Sequence, residues 1–227
     1  MPEFLTNFGT IVVDPGHGGT RNLPGSSANN ATSVSGVPEK QLTLAFALDL
    51  KAELAAQAAA AGERIKIVLT RAADVNVTGA KRAGAAAKHG ACTFLSIHFN
   101  GSANPKVRGP ETFYRAPENG NANLAADIAF ARAVHTGLTA GLRAIGLDGK
   151  DRGVRPDTLT ALGALGVLSD ARLGGSCCAA LCEIEFITHP EVDRMLVSGA
   201  AAQANRRLVA LEMATAIRRH LAAAKPD

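Results

Sequence analysis

Two histidines occupy matching places in this sequence. His17 stands in Pro15-Gly16-His17-Gly18-Gly19, directly after the β-branched run at 10–14 (TIVVD), and His98 opens His98-Phe99-Asn100-Gly101, directly after the apolar run at 92–97 (CTFLSI). Each run reads as a short strand that stops at a Gly-containing turn, so each delivers an imidazole to a strand end. Glu39 follows Pro38 at the start of a stretch with helical spacing through Leu42, Phe46, Leu50 and Leu54. A proline and an acidic residue there suit a helix N-terminus. Two neutral imidazoles and one carboxylate form a donor set for Zn²⁺, and a catalytic zinc site needs just three protein ligands, leaving positions open for water and substrate. Glu183 is a candidate of another kind. It lies in the apolar run 180–187 (ALCEIEFI), where an unpaired carboxylate is costly, so it either pairs with an arginine or serves as a general base for an attacking water. Glu185 is expected on the same face, because strand side chains repeat every two residues.

These side chains need elements to hold them. Strand-like runs at 10–14, 65–70, 92–97, 111–114 and 180–187 alternate with helical stretches at 38–61, 78–89, 122–145 and 199–224. That alternation predicts an α/β three-layer sandwich, a mixed and mostly parallel sheet with helices on both faces. Open α/β sheets bind ligands at the carboxyl ends of their strands, where both histidines fall. Residues 20–37, rich in Gly, Ser, Asn and Thr, read as a long surface loop, and 146–158 as a second loop. Residues 1–8 read as a loose leader, and 9–225 as one domain.

Composition narrows the function further. The chain has 227 residues, 47% of them apolar, with 24 Lys+Arg against 20 Asp+Glu, so it can build a packed core. The positive charges are spread, with no block of the kind that marks a nucleic-acid arm. No run is long enough to span a membrane, and no secretory signal is visible. Cys92, Cys177, Cys178 and Cys182 form no CxxC pair and read as small hydrophobes, so the chemistry falls to His and carboxylates. His89, at a helix end, and His135 and His220, in helices, read as structural or solvent-facing.

Several blocks together carry a resemblance: DPGHGG at 14–19, EKQLTLAFAL at 39–48, LTRAAD at 69–74, SIHFN at 96–100, RGPETFY at 108–114, RGVRPD at 152–157 and LCEIEFITHPE at 181–191. In order and nearly end to end, they resemble the zinc-dependent N-acetylmuramoyl-L-alanine amidases of the Amidase_3 type. The resemblance implies a single-domain α/β fold and cleavage of the amide between the lactyl group of N-acetylmuramic acid and the L-alanine of the peptidoglycan stem. It places the ligands of one Zn²⁺ on His17, Glu39 and His98 and the catalytic glutamate on Glu183. Asn100 and Arg155 are candidates for holding substrate. Glu185 stands where the family usually has a small residue, and there it either raises the pKa of Glu183 or turns away into a salt bridge. His189 either supports the site or caps the helix start at Pro190. The implied partner is peptidoglycan, with no nucleic acid and no membrane span, for a monomer working in the periplasm or cell wall, or as a phage-type lysin released to the wall. Two rivals stand beside this reading: a zinc peptidase acting on the stem peptide, and a catalytically silent wall-binding relative.

Overall fold

The computed structural model describes residues 6–224. Its elements run β1 (Thr6–Pro15), α1 (Glu39–Ala60), β2 (Glu63–Leu69), α2 (Gly79–His89), β3 (Ala91–Asn100), β4 (Glu111–Tyr114), α3 (Leu124–Ala144), β5 (Gly153–Pro156), α4 (Asp170–Leu173), β6 (Cys178–Phe186), α5 (Pro190–Asp193) and α6 (Ala202–Ala223). The strands form one sheet in the order β2-β1-β3-β6-β4-β5. Every neighbouring pair is parallel except β4 against β6, which is the mixed, mostly parallel sheet expected.

Strand alternation sorts the core into two layers. Ile11, Val13, Leu95, Ile97, Ala180 and Cys182 face Phe46 and Leu50 of α1, Phe130 and Leu138 of α3, and Val209 and Met213 of α6. Val12, Phe94, Ala179 and Leu181 face Ala83 and Ala86 of α2 together with Leu168 and Leu173. Both faces of the central strands are therefore covered, which is why they read as continuous apolar runs. The small residues let the helices close up: a Cβ on Gly141 of α3 would lie 2.6 Å from the Val209 Cα of α6.

Three expectations change. Residues 1–5 lie outside the described residues, but Thr6 and Asn7 of the expected leader pair with Glu63 and Arg64, and Phe8 is buried in the core. The loop expected at 146–158 contains β5, a four-residue edge strand that pairs with β4 and is too short to show a period. His98 lies within β3 rather than in the turn after it.

The topology fixes where a site must be. From β1 the chain passes through α1 to β2 on one side, then returns through α2 on the opposite face to β3 on the other side of β1. The connections diverge between β1 and β3, so a crevice opens at the carboxyl ends of these two strands.

Candidate metal and catalytic centre

His17, Glu39 and His98 meet in that crevice. His17 Nε2 and His98 Nδ1 each lie 3.1 Å from Glu39 Oε1, and the two ring nitrogens are 3.2 Å apart. Tetrahedral ligands at zinc–nitrogen distances stand about 3.3 Å from one another, so the trio fits one ion of that size.

Each side chain is held by its element. Glu39 is the first residue of α1, where the helix dipole favours a carboxylate. Its Oε2 accepts from the Ala31 amide at 3.0 Å and its Oε1 from the Phe99 amide at 3.1 Å. Burial alone would raise its pKa, but hydrogen bonding and charge from His17 and His98 win and push it down to about 2. His17 Nδ1 lies 3.2 Å from the Ser27 carbonyl oxygen. The Ser27 Oγ lies 2.9 Å from the same nitrogen; because a carbonyl can only accept, a proton on Nδ1 suits this pair of contacts and would free Nε2 to bind a metal ion held between His17, Glu39 and His98. The His98 ring lies over Gly16, where a Cβ would come within 2.3 Å of its Cε1 atom. Glycine at 16 is a condition for seating that imidazole.

The catalytic candidate follows from strand register. His98 of β3 pairs with Glu183 of β6, and Glu183 pairs with Glu111 of β4. Because β4 runs antiparallel to β6, its first residue reaches the same sheet end as the carboxyl end of β6. Glu183 is half-buried, and its Oε2 is shielded from solvent with no hydrogen-bond partner among the described residues. Burial first, then the charges of Glu39 and Glu111, raise its pKa well above the usual carboxylate range. It lines a cleft of about 740 Å³ with His17 and His98, between Ser26, Ser27 and Asn30 of one loop and Leu162, Leu165 and Val167 of another.

Glu185 does not share this environment. His98 pairs with Glu183 but Asn100 pairs with Phe186, so β6 carries one extra residue between them. This bulge breaks the two-residue alternation assumed from sequence. The Glu185 carboxylate is fully buried, accepts from the Gly109 amide at 2.7 Å and meets Arg108 at 3.4 Å. Of the two options open from sequence, the salt bridge holds. His189 caps α5, accepting from the Glu191 amide at 3.3 Å.

Asn100 and Arg155 converge on a residue that sequence reasoning passed over. Asn100 Nδ2 donates to Glu111 Oε1 at 2.8 Å, while Arg155 and Arg152 donate to Oε2 at 3.0 and 3.1 Å. Glu111 gave no signal beyond opening the short strand-like run 111–114. Asp14, Arg71 and Arg82 were missed as well. Arg82 left a trace in sequence, as a cation on the same helical stripe as Ala83 and Ala86. Burial raises the pKa of all four cysteine thiols, Cys177 up to about 12 and Cys182 higher still.

Three convergent donors and a carboxyl whose proton affinity is raised thus stand together at one end of an α/β sheet. The family profile described as N-acetylmuramoyl-L-alanine amidase, Amidase_3, matches residues 11–219, and the chain belongs to that family. The amidase CwlM of Bacillus licheniformis is 38% identical over 113 residues, 46% of this chain and 40% of CwlM. The sporulation-specific amidase of Bacillus subtilis is 35% identical over 127 residues, 52% of this chain and 45% of the relative. These matches span less than half the length of either relative. The catalytic domain of CwlV from Paenibacillus polymyxa shares the fold, with a TM-score of 0.70 at 24% identity over 94% of this chain and 98% of that one.

Proposed function

We propose that this chain is a zinc-dependent peptidoglycan hydrolase that cleaves the amide between the lactyl group of N-acetylmuramic acid and the L-alanine of the stem peptide. The observation that carries the reading is the pairing, in one cleft, of the His17–Glu39–His98 donor set with a Glu183 oxygen that has no partner among the described residues. Family membership supplies the substrate class.

His17, Glu39 and His98 would hold one Zn²⁺, and the ion, when bound, polarises a carbonyl and lowers the pKa of water from 15.7 toward ~7. Glu183 is the proton carrier. It takes a proton from the attacking water and passes it to the nitrogen of the departing L-alanine, so the C–N bond breaks with a neutral amine leaving. Glu111 holds Asn100 and Arg155 at the edge of the same site, and these two are the residues we assign to substrate binding. No helix among the described residues is long and apolar enough to cross a membrane, and we place the enzyme outside the cytoplasm, where its polymer lies.

Zinc content and release of stem peptide from purified peptidoglycan, measured on the wild type and on Glu183→Gln, test the reading. We expect about one zinc in both, and intact stem peptides with a new L-alanine amine from the wild type alone. Shortened stems would move the assignment to a peptidase, and zinc binding with no cleavage of any kind would leave a wall-binding relative.

A further inference from the structure

Among the described residues, His17 is the non-glycine residue with a positive φ, at 60°. This is the left-handed region, which costs an L residue steric strain and is uncommon outside glycine. Something must hold the turn there, because the direction of the His17 Cα–Cβ bond, and with it the aim of Nε2, depends on that φ.

Two buried arginines do so by gripping three consecutive carbonyls. Arg82 is 2% exposed. Its Nη2 donates to the His17 carbonyl at 2.6 Å and to Asn76 Oδ1 at 3.2 Å, while its Nη1 donates to Asp14 Oδ1 at 2.8 Å and the Pro15 carbonyl at 2.6 Å. Its Nε is bound to the Val77 carbonyl at 2.9 Å. Arg71 takes the carbonyls between: Nε donates to Pro15 at 3.0 Å, and Nη2 to Gly16 at 2.8 Å and to Lys40 at 2.7 Å. Since Lys40 follows Glu39, Arg71 also ties the turn to the helix end that carries the carboxylate donor.

We propose that Arg82 is a positioning residue for the metal centre. Its Nη2 end clamps the His17 carbonyl in the left-handed conformation and so aims the imidazole before any ion arrives. The proposal rests on the reading of His17, Glu39 and His98 as the metal site. The planar fork matters as much as the charge. One end serves the ion pair with Asp14 and the other serves His17, a division that a lysine, with a single nitrogen, cannot reproduce.

That difference makes the test. The full chain is prepared as wild type, Arg82→Lys and Thr70→Val, and Zn²⁺ affinity is measured by competition with a chromophoric chelator, alongside thermal melting and ¹H–¹⁵N spectra of the histidine rings without metal. Thr70→Val removes the Thr70 Oγ1 bond to Asp14 Oδ1 and weakens the same buried pair without touching His17. We expect Arg82→Lys to bind Zn²⁺ tenfold to a hundredfold more weakly, the range for groups that orient a ligand, and to show altered His17 ring resonances in the metal-free protein. Thr70→Val should melt earlier yet bind within about twofold of the wild type, with unchanged His17 resonances. Wild-type affinity in Arg82→Lys, or an equal loss in Thr70→Val, overturns the proposal. A wild type that binds no Zn²⁺ overturns the metal-site reading instead, and the His17 resonances then decide the role of Arg82. If Arg82→Lys does not fold, Asn76→Ala takes its place with Ser26→Ala beside it: both lose the bond between Ser26 and Asn76, but Asn76→Ala also removes the acceptor that orients Arg82 Nη2. A zinc affinity weaker in Asn76→Ala than in Ser26→Ala supports the clamp, and equal affinities overturn it.

Discussion

The two halves of the cleft treat their buried carboxylates in opposite ways. On the β1, α1 and β3 side, Asp14 and Glu39 are both fully buried and both saturated. Asp14 would have its pKa raised by burial, yet the Arg82 guanidinium and the bonds from Thr70, Arg82 and Ser96 hold it below the usual carboxylate range. Glu39 is bonded by two backbone amides and faces two imidazoles. On the β6 side, Glu183 keeps an oxygen with no partner among the described residues and sits between two other carboxylates. Saturated groups have one low-energy arrangement and therefore position their neighbours, whereas an unsatisfied carboxyl has spare proton affinity to use on a substrate. On the proposed reading the contrast separates holding from reacting within one cleft.

Replacing Glu183 should sharpen that contrast most. On the proposed reading Glu183→Gln removes proton transfer but no ligand, so kcat should fall by about 10²–10⁴ while zinc content stays constant, read by peptide release and elemental analysis. Breaking the opposite half should instead cost stability. Asp14→Asn leaves Arg82 buried with its charge uncompensated, and urea unfolding should show a loss of about 3–5 kcal/mol.

Smaller effects probe the boundary between the halves. Glu111→Gln deletes one of the charges that raise Glu183 and frees the cations of Arg152 and Arg155. Both changes favour the ionised form of Glu183. The acidic limb of the kcat/KM profile should move to lower pH, by up to about one unit. An unmoved limb would show that Glu183 does not set it.

Asp127 tests whether a raised pKa is enough to make a functional group. Burial raises it to about 6, with Asp170 adding to the shift. Unlike Glu183 it is partnered, accepting from the Ala179 amide at 2.8 Å and from Asn121 at 2.9 Å. Unfolding lets this carboxyl ionise near 3.8 rather than 6, so the folded state binds the extra proton between those values and stability falls as pH rises through that window. Asp127→Asn should flatten this slope, read as urea-unfolding stability across about pH 4 to 7, with no effect on kcat. A loss of activity equal to that of Glu183→Gln would show that partnered and unpartnered buried carboxyls do not differ in this way.

Much of the donor set was legible because each donor sits at a local signal. His17 and His98 follow apolar runs and Glu39 follows a proline at a helix start, features set by a few adjacent residues. Glu183 was legible as a charge in an apolar strand. Glu111 was not, because its importance comes from the antiparallel pairing of β4 with β6, a contact between residues 72 positions apart in sequence. The fate of Glu185 was hidden for a similar reason: a bulge is a mismatch between two strands, and neither strand alone records it. The stretch that holds β5 reads as loop because four residues at an edge carry too little pattern.

The amino-acid sequence by itself determined the layer architecture, the two strand-end imidazoles, the helix-start carboxylate and the acid in the last strand, since these depend on periodicity and turn chemistry over a few residues. The tertiary structure alone decided that the three donors stand within 3.2 Å of one another, that Glu183 is flanked by Glu39 and Glu111 while Glu185 turns away, and that two arginines grip the turn carrying His17. Those facts depend on strand order and register, which are settled by how the whole chain buries its apolar surface.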